Sequence, residues 1–87
     1  MNDLHTLQKK LQFKSSHRGS KEMDILLGSF VEKYIKLFNK GELQMLEAIL
    51  ELDDNDIYRY ALDKVTIPKE IDNRVMQLLK DFTMHKK

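Results

Sequence analysis

The stretch Arg18-Gly19-Ser20-Lys21-Glu22-Met23-Asp24 joins a basic N-terminal segment to the most apolar run of the chain. Gly19 is a natural end for a first helix, because a glycine just after the last helical residue adopts the left-handed conformation at little cost. A second helix is expected to begin near Ser20 or Lys21, since the acidic side chains that follow then lie in its first turn, at the positive end of the helix dipole. The stretch therefore predicts a corner between two helices.

Apolar residues recur at helical spacing on both sides of this corner. Leu4, Leu7 and Leu11 predict a short amphipathic first helix, and the second helix is expected to continue through the apolar positions between residues 23 and 38. Gly28 lies in the interior of this second helix. A glycine there costs about 1 kcal/mol relative to alanine, so it predicts a close crossing by another helix.

Three further helices are predicted along the rest of the chain. Asn39, followed three residues later by Glu42, has the spacing of a capping box and predicts the start of the third helix. Asp53 or Asp54 is a suitable N-cap for the fourth helix, and Pro68 fits the first position of the fifth. Five helices with short connections predict an all-α fold, a compact five-helix bundle that forms a single domain over residues 1–87.

The composition suits one small globular domain. The chain has 87 residues, of which 41% are hydrophobic and 33% charged. No apolar run approaches the roughly 20 residues that a bilayer span needs, and the absence of cysteine excludes disulfides and a thiolate nucleophile. The first residues lack the pattern of a secretory or transit peptide. We therefore expect a cytoplasmic protein without membrane insertion.

Charge is distributed unevenly, although the net charge is only +1. Residues 1–21 carry five basic side chains against one acidic side chain, whereas residues 42–56 carry six acidic side chains and no basic one. Such an asymmetry can orient a protein partner. A nucleic-acid interface is disfavoured, because Phe13 is the only aromatic residue in the basic segment and no recognition motif is present.

No arrangement of catalytic or metal-binding residues stands out in the sequence. His5, His17 and His85 lie in the predicted first helix or in the C-terminal tail, outside any apolar pattern that would desolvate them. The acidic run of residues 51–56 lacks the mid-loop glycine and the distal glutamate of an EF-hand, and helix capping accounts for it. We therefore predict that the protein is not an enzyme and has no catalytic residues and no metal site.

The tyrosines of the fourth helix are expected to differ in exposure. Tyr58 and Tyr60 are two positions apart, so they cannot both face inward on a helix. At least one of them is predicted to be exposed beside the acidic run. An exposed aromatic residue there is a candidate interface anchor, and an isolated surface aromatic is the alternative that the sequence leaves open.

Three segments together resemble a known family. They are the Arg-Gly-x-x-Glu pattern of residues 18–22 with the apolar helix after it, the acidic and aromatic segment of residues 52–61, and residues 75–82. In these segments the chain closely resembles the succinate dehydrogenase FAD assembly factors, also called flavinylation factors, of a bacterial type. The resemblance is strongest over residues 13–82.

This resemblance implies a five-helix, chaperone-like assembly factor for respiratory complex II. Such a factor binds the flavoprotein subunit of succinate dehydrogenase and promotes the covalent attachment of FAD to a histidine of that subunit. The factor itself holds no cofactor, because the FAD is attached to the partner. The flavoprotein of fumarate reductase is left open as a second client, and the free protein is expected to be a monomer.

The resemblance assigns partner binding to the arginine, glycine and glutamate of the first pattern and to the acidic position after it, and the two tyrosines are added as candidate interface anchors. Without the resemblance, the arginine and glutamate would be interpreted as a local ion pair and the glycine as a helix cap. The predicted partner-binding residues are Arg18, Gly19, Glu22, Asp24, Tyr58 and Tyr60.

The sequence departs from the family pattern at three positions. Ser20 stands where the family usually has methionine, Tyr60 where it has tryptophan, and Asn55 where it has proline. The first two changes are expected to alter hydrophobic contacts with the partner. The third is expected to be structurally mild, because Asp54 can still cap the helix.

A second function is kept as an alternative. The same family is sometimes assigned an antitoxin-like role, in which a small regulatory protein binds a different protein partner. The identity of a co-purified partner separates the two functions, because a flavoprotein supports assembly and a cytoskeletal or toxin protein supports regulation.

Overall fold

The computed structural model describes residues 3–85, which form five α-helices and one short 3-10 turn. The helices are α1 (Asp3–Ser16), α2 (Lys21–Tyr34), α3 (Lys40–Leu50), α4 (Asp54–Ala61) and α5 (Arg74–Met84), and the 3-10 turn is Lys69–Ile71. The predicted all-α fold is confirmed. The radius of gyration is 12.1 Å, which is close to the value of about 12 Å expected for a compact domain of this length.

Polar side chains fix the starts of α2, α3 and α4 where the sequence predicts them. Ser20 Oγ accepts a hydrogen bond from the backbone N–H of Met23 at 3.1 Å. Asn39 and Glu42 form a complete capping box, in which each side chain accepts the backbone N–H of the other residue. Asp53 caps α4. These contacts satisfy N–H groups that have no partner within the helix.

The start of α5 and the end of α2 differ from the prediction. Pro68 precedes the 3-10 turn, and α5 begins only at Arg74. Asn73 is the cap instead, because its side-chain oxygen accepts the N–H of Met76 at 3.0 Å, an acceptor that proline does not have. Helix α2 ends at Tyr34, and the chain continues as a turn through residue 37.

The core is one apolar cluster to which all five helices contribute. Phe30 lies fully buried within it, with its ring centroid 5.0 Å from that of Tyr34 and 5.5 Å from that of Phe82. Aromatic rings at these separations contribute beyond their buried area. The buried apolar residues are Leu11, Met23, Leu26, Leu27, Phe30, Val31, Ile35, Phe38, Leu43, Leu46, Ile49, Leu50, Ile57, Ala61, Val75, Met76 and Leu79.

Helix α1 crosses α2 closely at Gly28, as the sequence predicts. A Cβ atom added to Gly28 would lie 3.9 Å from the Cβ of Ser16 and 4.0 Å from the carbonyl oxygen of Ser15. These are ordinary van der Waals distances, so the last turn of α1 packs on α2 at this position, and a methyl group would also fit there. Because α1 also packs against α3, its end is held against two helices immediately before the chain turns into α2.

Two ion pairs join α1 to α3 on the surface. Lys10 Nζ lies 2.8 Å from a carboxylate oxygen of Glu47, and Lys14 pairs with Glu51 one turn further along each helix. The hydrogen bond and the charge of Lys14 lower the pKa of Glu51, and Glu47 raises the pKa of Lys10 in the same way. The pairs place basic α1 against acidic α3, so part of the charge asymmetry is used inside the fold.

We expect Glu51 to stabilise the protein at neutral pH and to lose this contribution in acid. A carboxyl group with a lowered pKa in the folded state stabilises above its ordinary pKa, and the contribution disappears as pH falls through the folded-state pKa. Both partners are exposed, so the effect is small. The melting temperature of Glu51→Gln should lie below that of the wild type at neutral pH and equal it in acid. Glu32→Gln, at an exposed position on α2, is the control. A difference that does not change with pH would contradict the assignment.

Candidate functional site

Two turns between helices meet on one face of the bundle. The first corner, residues 17–20, joins α1 to α2, and the second corner, residues 51–53, joins α3 to α4. Between them lies a cleft of about 400 Å³, which we name the corner cleft. It is lined by Gly19, Ser20, Glu22, Met23, Asp53, Asp54, Asn55 and Tyr58. The cleft therefore brings together the Arg-Gly-x-x-Glu pattern and the acidic and aromatic segment.

Arg18 reaches from the first corner to the second. Its Nε donates to Oδ1 of Asp54 at 2.7 Å, and its two terminal nitrogens donate to the carbonyl oxygens of Leu50 at 2.8 Å and Leu52 at 2.9 Å. Only 11% of the side chain is exposed. The guanidinium group closes the C-terminal end of α3, where carbonyl groups lack partners within the helix and the dipole favours a cation.

Asp54 is the acidic partner in the ion pair with Arg18. Its Oδ2 accepts the backbone N–H of Gly19 at 3.1 Å, while its Oδ1 accepts from Arg18. Asp54 is also the first residue of α4, where a negative charge is favoured by the helix dipole. The carboxylate of Asp24 accepts the backbone N–H of Arg18. The backbone of residues 18 and 19 is thus fixed from both neighbouring helices.

The expected helix-ending role of Gly19 is wrong, and the local ion pair that was the alternative interpretation of Arg18 and Glu22 is not formed. None of the glycines in the described residues has a positive φ, so Gly19 does not end α1 in the left-handed conformation. Its N–H is instead directed to Asp54, and a Cβ added to it would lie 3.5 Å from the Oδ2 of that residue. Arg18 also does not form the local pair with Glu22 that its spacing suggests, because Asp54 offers a better-placed carboxylate in a less exposed position.

Glu22 and Tyr58 form the solvent-exposed walls of the corner cleft. Tyr58 is 41% exposed, whereas Tyr60 is half-buried and packs against the core. The prediction that the two tyrosines cannot both face inward is therefore confirmed. Arg18, Asp24 and Tyr60 are not among the residues that line this cleft, so three of the six predicted residues, Gly19, Glu22 and Tyr58, lie on its surface.

Sequence reasoning does not include five residues of the cleft among the site residues. Met23, Asp53 and Asp54 are predicted as core or capping residues, Ser20 and Asn55 are noted as departures from the family pattern, and all five line the cleft. A signal for Asp54 is present, because an arginine next to an apolar helix needs a carboxylate when it is buried. The acidic run offers several candidates, and only the packing of the two corners identifies which one pairs with Arg18.

The chemistry of the corner cleft is that of a polar recognition surface. Its exposed lining residues are Gly19, Ser20, Glu22, Asp53, Asn55 and Tyr58, which offer two carboxylates, an amide, a hydroxyl group and an aromatic ring. Between residues 3 and 85, no group of three or more histidine, aspartate or glutamate residues is arranged to hold a metal ion. Within the same part of the chain, no helix is both long and apolar enough to cross a membrane.

Comparison with known proteins identifies a family and several relatives. A family model described as the flavinator of succinate dehydrogenase matches residues 9–83. Succinate dehydrogenase assembly factor 2, mitochondrial, of Dictyostelium discoideum is 33% identical over 79 residues, which are 91% of this chain and 56% of that protein. Assembly factor 2-A, mitochondrial, of Drosophila willistoni is 36% identical over 80 residues, which are 90% of this chain and 51% of that protein. The chain thus spans about half the length of these curated relatives.

Proposed function

The chain belongs to the family described as the flavinator of succinate dehydrogenase, and on this basis we propose that it is an assembly factor that binds the flavoprotein subunit of succinate dehydrogenase and promotes covalent attachment of FAD to it. The match to the family model over residues 9–83 is the observation that carries the proposal. The name shared by the relatives, succinate dehydrogenase assembly factor 2, supports the same role.

The proposed role is that of a chaperone and not of an enzyme. The FAD is bound and attached within the flavoprotein subunit, and the assembly factor holds that subunit in a favourable arrangement without a cofactor of its own. The relatives are named assembly factors, which supports this division of labour. The flavoprotein of fumarate reductase is proposed as a second client.

We place the docking surface at the corner cleft. Two of the three sequence segments that carry the family resemblance line this cleft, which supports a shared role for those two. Glu22 offers a carboxylate to a hydrogen-bond donor or cation of the partner, and Tyr58 offers a half-exposed ring of the kind that anchors interfaces. Of the predicted partner-binding residues, these two and Gly19 are the ones that a docked flavoprotein would meet directly.

The proposal predicts that covalent flavin in the flavoprotein subunit depends on this protein. The subunit is produced in cells with and without the protein, and flavin fluorescence of the denatured subunit is measured. Without the protein, covalent flavin should fall to a small fraction of the amount found with it. Glu22→Lys should give the low value as well, because it reverses a charge on the cleft wall.

Glu32→Lys is the matched control for this experiment. Glu32 is another exposed glutamate of α2 and does not line the corner cleft, so the same charge reversal there should leave covalent flavin unchanged. Equal flavin with and without the protein would overturn the proposed function. Equal losses in the two variants would show that net charge matters, and would contradict docking at the cleft.

The alternative of an antitoxin-like regulator is tested by identifying the partner that co-purifies with this protein. The protein is purified from cells, and the co-purifying partner is identified by mass spectrometry. A flavoprotein supports the assembly role, and a toxin or cytoskeletal protein supports the alternative.

The cytoplasmic location, the bacterial type, the monomeric state and the absence of nucleic-acid binding remain predictions. The relatives named above carry the word mitochondrial in their names.

A further inference from the structure

We propose that Arg18 is a positioning residue: it supports partner binding by holding the two corners together, and its guanidinium group does not contact the partner. The inference rests on the proposed function, since it concerns how the docking surface is built. It differs from the expectation drawn from the family resemblance, in which Arg18 is one of the residues that meet the flavoprotein.

The guanidinium group is already occupied inside the protein. Its three nitrogens donate to Asp54, Leu50 and Leu52 at 2.7 to 2.9 Å, and 11% of the side chain is exposed. Asp54 balances its charge. Three of its five N–H groups are used inside the protein, and the small exposed fraction of the side chain leaves little of the group for a partner to contact. Contact between a partner and the exposed side chains of Glu22 and Tyr58 would not disturb these hydrogen bonds.

The same contacts set the geometry of the cleft. Arg18 and Asp54 are 36 positions apart in the chain, so their ion pair joins the two corners directly. Asp54 also receives the N–H of Gly19, and Asp24 receives the N–H of Arg18. Loss of the guanidinium group therefore removes three hydrogen bonds between the first corner and the residues around the second, and leaves the bond from the N–H of Gly19 to Asp54. The remaining ion pair near this point, between Lys14 and Glu51, is exposed and contributes little.

Lysine cannot replace arginine in this position. The planar guanidinium group places three donors toward three fixed acceptors, whereas an ammonium group is a point charge on a flexible stem. Arg18→Lys keeps the charge and a nearly equal length, yet loses the geometry of the fork. This variant separates positioning from long-range attraction between charges.

The test measures the affinity of the purified protein for the flavoprotein subunit by calorimetry. Arg18→Lys should bind at least about tenfold more weakly than the wild type. The reason is that lysine loses more than one of the hydrogen bonds that the guanidinium group makes. Arg59→Lys is the matched control, because Arg59 lies on α4 with half of its side chain exposed and its guanidinium group pairs with Asp56 on the same helix. It should bind within about threefold of the wild type.

A second control separates positioning from general stability. Val75 is fully buried on α5 and does not line the cleft, so Val75→Ala lowers stability without changing the corners. At a temperature where both variants show the full helical spectrum, Val75→Ala should keep the affinity of the wild type and Arg18→Lys should not. Equal losses of affinity would overturn the positioning role.

A third measurement separates positioning from contact. In ¹⁵N NMR spectra, the Nε–H of Arg18 should exchange slowly with water in the free protein, and its resonance should stay in place when the flavoprotein subunit binds. A large shift on binding would show contact with the partner and overturn the inference, as would wild-type affinity in Arg18→Lys. Failure of the wild type to bind the subunit would instead overturn the proposed function, and the protected Nε–H in the free protein would still be observed.

Discussion

Gly19→Arg is expected to abolish binding of the flavoprotein subunit while the helical fold persists. A Cβ atom at this position would lie 3.5 Å from Oδ2 of Asp54, so a longer side chain has to extend along or into the corner cleft. The new guanidinium group would also compete with Arg18 for Asp54. Filling the centre of an interface in this way costs at least about 2 kcal/mol, which corresponds to about a thirtyfold loss of affinity.

Gly19→Ala is the matched control for this prediction. The distance of 3.5 Å is an ordinary van der Waals contact, and Gly19 does not have a positive φ, so a methyl group fits without strain. Affinity should stay within about threefold of the wild type. Ala48→Arg, at an exposed position of α3 outside the cleft, controls for an added positive charge.

Calorimetry with the flavoprotein subunit and far-UV circular dichroism decide the outcome together. Wild-type affinity in Gly19→Arg would exclude the corner cleft as the docking surface. Loss of affinity in Gly19→Ala as well would mean that the close approach of the two corners, and not the open cleft, is what the partner requires. Loss of the helical spectrum in Gly19→Arg alone would assign the glycine a structural role.

Local signals in the sequence predict the helices well. A cap is a contact between residues two or three positions apart, so Ser20, Asn39 and Asp53 reveal the starts of three helices without knowledge of the fold. Gly28 predicts a close crossing for a similar reason, because a glycine inside a helix needs compensation. Two local signals, Pro68 and Asn73, could each mark the start of α5. The helix begins after Asn73, whose side chain caps it.

The site is less predictable because it depends on contacts between distant residues. Nothing near Arg18 in the sequence indicates that its partners lie 32 to 36 positions away. The role of Gly19 follows from a hydrogen bond to Asp54, which exists only after α4 has packed beside the first corner. The family resemblance identifies two segments that meet at the corner cleft, and the structure shows which of their residues line it and which, like Arg18, do not.

The second corner is joined to the core on both sides. Leu50 at the end of α3 and Ile57 on α4 are both buried in the apolar cluster. A variant that lowers stability without unfolding the protein should leave the cleft intact, whereas a variant that removes the ring of Phe30 should not.

Phe30→Ala is expected to cause a severe loss of stability, larger than that of any substitution on the surface. The ring is fully buried and packs against the rings of Tyr34, Phe38 and Phe82. Removing it costs about 3 to 5 kcal/mol, a large part of the about 4 to 13 kcal/mol of total stability expected for a domain of this length.

Phe13→Ala is the control with the same change in chemistry. The ring of Phe13 is 61% exposed and stacks on His17 at the surface, with centroids 3.9 Å apart. Its loss should lower the free energy of unfolding by less than about 1 kcal/mol. Urea unfolding followed by circular dichroism measures both variants. Similar losses in the two would contradict a core centred on Phe30, because the hydrophobic contribution follows the apolar area that folding removes from water.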